Sequence, residues 1–402
     1  MFLFVSLPMM PHLMVPRPGN VRQCMGARRQ MTRLLRLTRV AALLAVAVLV
    51  LAGPARAADT ASANDMARFL AGLPPDSSSP LAEFTREGSW QQHARYFDNA
   101  WRGLESRQLT RIQDWSREHL PSRQPTTFYM FSGPDFLYVN AFFPGSTTYV
   151  LSGLEPVGRL PELRHISRRT LPGILGHLRA STGSILRVTF FLTNQMRAQL
   201  HHGQLNGTLP ILYAFLARSG KTVTDVAFIT LEPDGTAKPS DGMPIKGVPN
   251  GVKIGFTSGD GKPQTLYYFS TDVSNGGIKS SGFLKFCEQL GNGDAFVKSA
   301  SYLMHNDSFS TVREFLLTHS ASLVQDDTGV PIRFLRNDDW ELRPFGRYLG
   351  PIGLFSGRYQ RQLADVFRTS RAKPIAFGVG YRWRPNESNL LLATRQERKA
   401  ER

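Results

Sequence analysis

The chain has 402 residues and a formal net charge of +17, from 48 basic and 31 acidic side chains, and 42% of its residues are hydrophobic. That length and apolar content suit one large or two modest globular domains, and two cysteines exclude a disulfide-stapled miniprotein. The charge is uneven: residues 1–57 carry eight arginines and no acid, so the remainder is only moderately basic at +9. A surplus of that size permits loose attraction to anionic surfaces such as lipid headgroups or acidic glycans. No basic helix or aromatic-basic RNA-binding motif accompanies it, so no nucleic-acid partner is expected.

The first element, residues 1–57, reads as a leader and signal peptide. Arg33, Arg36 and Arg39 precede an unbroken run of Ala, Leu and Val from Ala41 to Leu51, and Ala55-Arg56-Ala57 supplies a small-x-small site. This is the order of a secretory signal cleaved after Ala57. The apolar core is shorter than the roughly 20 residues that a membrane span needs. Arg28-Arg29 hints at twin-arginine export, but its context fits ordinary n-region charge. Pro8, Pro11, Pro16 and Pro18 break up the residues ahead of Met31, so Met25 or Met31 reads as the start. A soluble periplasmic or secreted mature form that does not span the membrane is expected. Cys24 falls in the leader, and Cys287 sits in the apolar helical run Phe283-Leu284-Lys285-Phe286-Cys287, the setting of a buried, inert thiol.

Residues 58–125 read as a helical N-terminal region. Residues 67–73 form a short apolar-periodic piece, and 73–80 are a loop by composition. From Trp90 to Leu120, Tyr96, Phe97, Trp101, Leu104, Leu109, Ile112 and Trp115 fall near one helical face, closed by Pro121 and Pro125. The spacing itself accounts for the tryptophans as a core-packing face rather than a sugar-stacking surface.

Residues 126–402 alternate strand and helix signals, the mark of an α/β domain. Strands are expected at 126–131, 147–151, 188–192, 223–230, 300–304 and 322–325, with helices at 136–143, 209–217 and 311–318. An antiparallel insert pairs 252–257 with 265–270 around Ser258-Gly259-Asp260-Gly261-Lys262. A helix at 359–368, closing strands at 375–383 and 389–393, and a frayed tail from 395 complete the reading. The fold class is α/β: a mixed, mainly parallel sheet with flanking helices and an antiparallel hairpin insert, preceded by the helical region.

The segment Phe131-Ser132-Gly133-Pro134-Asp135-Phe136-Leu137-Tyr138 is followed by Phe142-Phe143-Pro144 and Gly153-Leu154-Glu155-Pro156-Val157-Gly158. It resembles a group of uncharacterised exported bacterial proteins that share this opening, most densely over residues 128–158. The resemblance implies export and a shared fold, and no chemistry.

In an open α/β sheet, ligands sit at the carboxyl ends of the strands. That edge would collect Ser132, Asp135, Glu155, Glu232, His305, Asp307, Asp326 and Asp327. Carboxylates and an imidazole are the groups that a divalent metal or acid–base hydrolysis requires. The bland alternative is that these acids cap turns and helices, as Asp135 would for the helix at Phe136. Gathered carboxylates repel unless a cation or proton relieves them, so Asp135→Asn or Asp326→Asn is expected to leave the fold intact or slightly stabilised. No Gly-x-Ser-x-Gly elbow, Walker loop, His-Glu-x-x-His or Cys-x-x-Cys occurs, and His201-His202 reads as solvated surface. The leading expectation is a periplasmic binding or envelope-associated protein for a small molecule or envelope component. The alternative is a periplasmic hydrolase, metal-assisted or not, acting at the acidic strand ends.

Overall fold

The computed structural model describes residues 63–120, 124–161, 166–191 and 206–396, which belong to one compact unit. The expected leader and cleavage site, Pro121, His201-His202 and the tail beyond 396 lie outside the described residues.

The helical region comprises α1 (63–70), α2 (Gly88–Leu104) and α3 (Thr110–His119), the last two joined by a single π-helical turn at Glu105–Leu109. The apolar stripe read from the sequence is the buried one. Phe97, Trp101, Leu104, Leu109, Ile112 and Trp115 all face the core. The Trp115 ring meets Phe142, Phe345 and Phe377 edge-on at 5.6, 5.1 and 6.2 Å, which packs the helices onto the sheet.

Then follow β1 (Thr126–Tyr129), α4 (Phe136–Phe142), β2 (Thr148–Gly153), α5 (Leu171–Val188) and α6 (Leu209–Arg218). β3 (Thr222–Leu231), β4 (Ala237–Pro239) and the hairpin β5 (Asn250–Thr257) and β6 (Pro263–Ser270) build one flank. α7 (Phe283–Gln289), β7 (Gly293–Val297), α8 (Ser310–His319), β8 (Ser320–Gln325), β9 (Trp340–Gly346), α9 (Arg361–Thr369) and β10 (Asn389–Arg395) come next.

The ten strands among the described residues form one sheet in the order β4-β3-β5-β6-β2-β1-β7-β8-β10-β9. The middle five, β6-β2-β1-β7-β8, are parallel, and both flanks are antiparallel. β1 and β7 are buried at every position, because helices cover both faces of a parallel centre. The two-residue period sorts their side chains. Tyr129 and Phe296 join the core under α1 to α6, while Phe128, Met130, Ala295 and Val297 join the core under α7 to α9.

Three expected strands are not strands. Around 188–192, α5 continues through Val188 and stops at Thr189 in a left-handed conformation. The helical spacing of buried Leu178, Ser181, Thr182 and Ile185 overrides the local β-propensity of Val188 and Thr189. In place of the strand expected at 300–304 the chain makes a turn and the start of a 3-10 helix, and the strand is β7, just ahead of it. Its apolar run Ala295-Phe296-Val297 is too short for periodicity to register. Residues 375–383 plug the core with Ile375, Phe377 and Val379 instead of pairing, because β9, unread in the sequence, occupies the place beside β10.

Candidate functional site

From β1 the chain passes to β2 on one side, and later enters β7 on the other side of β1. Neighbouring loops therefore diverge at the carboxyl ends of β1 and β7, and such a switch point leaves a crevice. A cavity of about 360 Å³ lies there, bounded by the ends of β1, β2, β6 and β7. Its walls include Met130, Phe131, Leu154, Phe190, Phe191 and Phe309, and its polar lining includes Ser132, Asp135, Glu155, Lys298, Ser299 and Ser301.

The turn after β1 is stapled to β2. The Ser132 and Gly133 amides both donate to the Ser152 carbonyl at 3.1 Å, and Ser132 Oγ donates to that carbonyl while accepting from the Ser152 amide. A Cβ on Gly153 would stand 2.5 Å from Glu155 Oε2 and 3.0 Å from Gly133 Cα, so the close approach of the two turns requires glycine.

Beneath the cavity Asp135 and Lys298 form an ion pair of 2.9 Å, each side chain 2% exposed. Asp135 caps α4 by accepting from the Tyr138 amide at 3.2 Å, and it also accepts from the Tyr129 hydroxyl at 3.0 Å. Lys298 donates to the Thr189 carbonyl, and its ammonium lies 4.2 Å from the centre of the Tyr138 ring. Both charges are thus compensated within the protein. Burial, and then the Asp135 charge, holds the Tyr129 phenol far above its usual range.

The wall after β7 is strained: Ser299, Ser301 and Tyr302 all have positive φ, at 54°, 51° and 55°. Asp326 and Asp327 hold it from behind. Asp326 accepts from the Ser299 amide at 2.9 Å and from the Thr328 amide and hydroxyl, and Thr328 in turn accepts from the Ala300 amide. Asp327 accepts from the Tyr302 hydroxyl and from Asn389 Nδ2. A Cβ on Gly380, whose φ is +71°, would fall 1.9 Å from Asp326 Oδ2. Burial, and then Asp327, pushes the Asp326 carboxyl up to about 7; burial raises Asp327 as well.

A carboxyl with a higher pKa folded than unfolded binds more protons in the folded state between the two values. Stability should therefore fall as pH rises from the ordinary 3.8 to about 7, and level off above. The difference in melting temperature between wild type and Asp326→Asn across that window checks the sign. A difference that does not vary with pH would show that Asp326 is not the titrating group.

The eight residues read from the sequence separate into three groups. Ser132, Asp135 and Glu155 line the cavity, and Asp326 and Asp327 brace its wall without lining it. The other three stand apart. Glu232 pairs with Lys238 at 3.1 Å at the end of β3, beyond β5 and β6. Asp307 has a 98% exposed side chain. His305 packs on Tyr302, with its pKa lowered to about 4 by burial and then by Arg358. Cys287 is buried, and burial pushes its thiol well up, as an inert thiol requires. Among the described residues, no group of three or more His, Cys, Asp or Glu side chains could hold a metal ion.

Lys298, Tyr129, Ser299 and the brace residues Thr328 and Asn389 escaped the sequence reading. Lys298 and Ser299 follow β7 directly, so the Gly291-Asn292-Gly293 turn signal ahead of that short strand was the available pointer.

Sheet and cavity together define an open, mixed α/β protein with a switch-point pocket. Comparison of the chain with protein-family profiles, with curated proteins and with solved structures found no match.

Proposed function

We propose that this chain is an exported binding protein whose switch-point cavity holds a small, partly apolar molecule. The observation that carries the reading is the lining itself: aromatic and aliphatic walls over a polar floor whose charged pair is already satisfied. Such a site selects by shape and a few hydrogen bonds. Ser299 is one of the lining residues, and its Oγ is buried and makes no hydrogen bond within the protein.

Hydrolysis has less support. Ser132 is engaged with the backbone of Ser152, and Lys298 is engaged by Asp135, the Thr189 carbonyl and the Tyr138 ring. His305 does not line the cavity, so among the described residues no nucleophile there shares a hydrogen bond with a histidine base. Export rests on the charged start, short apolar core and Ala-x-Ala site of the leader. Among the described residues, no helix is long and apolar enough to cross a membrane.

Native mass spectrometry of protein recovered from the periplasmic fraction tests both parts. The expected mass is that of a chain beginning at Ala58, with a small molecule bound. Leu154→Trp, at a lining position 54% exposed, should narrow the mouth and release the ligand without unfolding the protein. A ligand retained unchanged by Leu154→Trp would place binding elsewhere, and an intact leader in the membrane fraction would overturn export.

A further inference from the structure

The positive charge of the folded chain is concentrated in one segment. Residues 343–384 hold nine Arg and Lys side chains against a single acid, Asp365, a net +8 beside the +9 of everything after residue 57. The same segment carries three of the six large hydrophobic side chains that are exposed among the described residues: Leu349, Leu354 and Tyr359, at 44, 80 and 58%.

These features share a surface. Arg347, Leu349, Arg368 and Arg371 line one shallow groove between the end of β9 and α9, and Tyr359 stacks on Tyr348 at its edge. Leu354 projects from the loop between them. That loop is held rigidly from behind: Arg382 donates to the carbonyls of Gly350 and Pro351 at 2.6 and 3.1 Å, and Phe355 packs on Tyr302 and Tyr381 at 5.1 and 5.4 Å.

We infer that the exposed side chains between Arg347 and Arg371 form a docking face for a bilayer surface rich in anionic lipid headgroups. The arginines supply attraction to phosphate, and Leu349, Leu354 and Tyr359 insert below the headgroups. The aliphatic side chains decide between polyanions. A nucleic acid or acidic glycan would gain nothing from a fully projecting Leu354, whereas an acyl layer removes it from water. The face adjoins the cavity wall, because Tyr381, against which Phe355 packs, also bonds Ser299 and Ser301 and meets Phe190 at 5.0 Å. Docking would therefore set the cavity beside the membrane surface.

Resting on the proposed export, the test uses the mature form from Ala58 with an environment-sensitive fluorophore on Ser356→Cys, so that the readout is local to the loop and free of the eight arginines and apolar run of residues 1–57. Cys287 is buried and stays unlabelled. Vesicles of phosphatidylcholine with phosphatidylglycerol should shift the emission to the blue, and vesicles of phosphatidylcholine alone should not. Each basic side chain near an anionic leaflet strengthens partition about fivefold, so Arg347→Glu with Arg361→Glu should weaken it by at least tenfold. Leu354→Ser should weaken vesicle binding and leave heparin binding unchanged. Both sets of positions are exposed, so thermal melts should match the parent. No blue shift with anionic vesicles, or a shift that survives the charge reversals, overturns the inference. Equal loss of heparin and vesicle binding in Leu354→Ser would do so as well.

Discussion

Lys298→Met should cost about 3–5 kcal/mol of folding stability, because it strands the Asp135 carboxylate in the interior. The ion pair is 2.9 Å long with both side chains 2% exposed, and the remaining donors to Asp135 are the Tyr138 amide and the Tyr129 hydroxyl. Asp135→Asn should also destabilise, since Lys298 would keep only the Thr189 carbonyl and the Tyr138 ring. This reverses the expectation drawn from the sequence, in which Asp135 was one of several repelling acids. The double variant Asp135→Asn/Lys298→Met removes both charges and keeps a side chain that can cap α4, so it should recover most of the loss. Urea denaturation of the wild type and the three variants measures the coupling. A Lys298→Met cost below about 1 kcal/mol would mean that the pair is solvated and not a buried one.

Trp115→Ala should cost a similar amount, about 3–5 kcal/mol, by opening a cavity where the helical region meets the sheet. The indole is 7% exposed and bounded by Phe142 from α4, Phe345 from β9 and Phe377 from the plug that follows α9. Its Nε1 is buried and makes no hydrogen bond within the protein, so Trp115→Phe keeps aromatic contact and removes an orphaned donor. The phenylalanine variant should therefore lose less than half of what the alanine variant loses. Equal losses would show that a phenyl ring recovers nothing and that the whole indole is needed to fill the site, and negligible losses in both would make α2 and α3 a detachable appendage.

Several features were legible because their causes are local. Helical spacing of Phe97, Trp101, Ile112 and Trp115 marks a buried face wherever the helix docks, and the Gly259-Asp260-Gly261 turn determines the β5–β6 hairpin. Asp135 as the cap of α4 follows from its place just ahead of Phe136. The export signal proposed for residues 1–57 rests on a local pattern of the same kind: arginines, a short apolar run and a small-residue site.

Strand order, by contrast, depends on contacts far apart in the chain. Nothing near Thr126–Tyr129 announces that β7, more than 160 residues later, will lie beside it and create the switch-point cavity. The partner of Asp135 follows that distant strand, so an acid read as a candidate ligand group became half of a buried ion pair. The same sheet order carried Glu232 beyond β5 and β6, although it stands in the same Leu-Glu-Pro phrase as Glu155. By itself the sequence determined which residues cap, turn and bury. Which of its charges meet was decided only by tertiary packing, because burial makes an unpaired charge too costly to leave where the local pattern puts it.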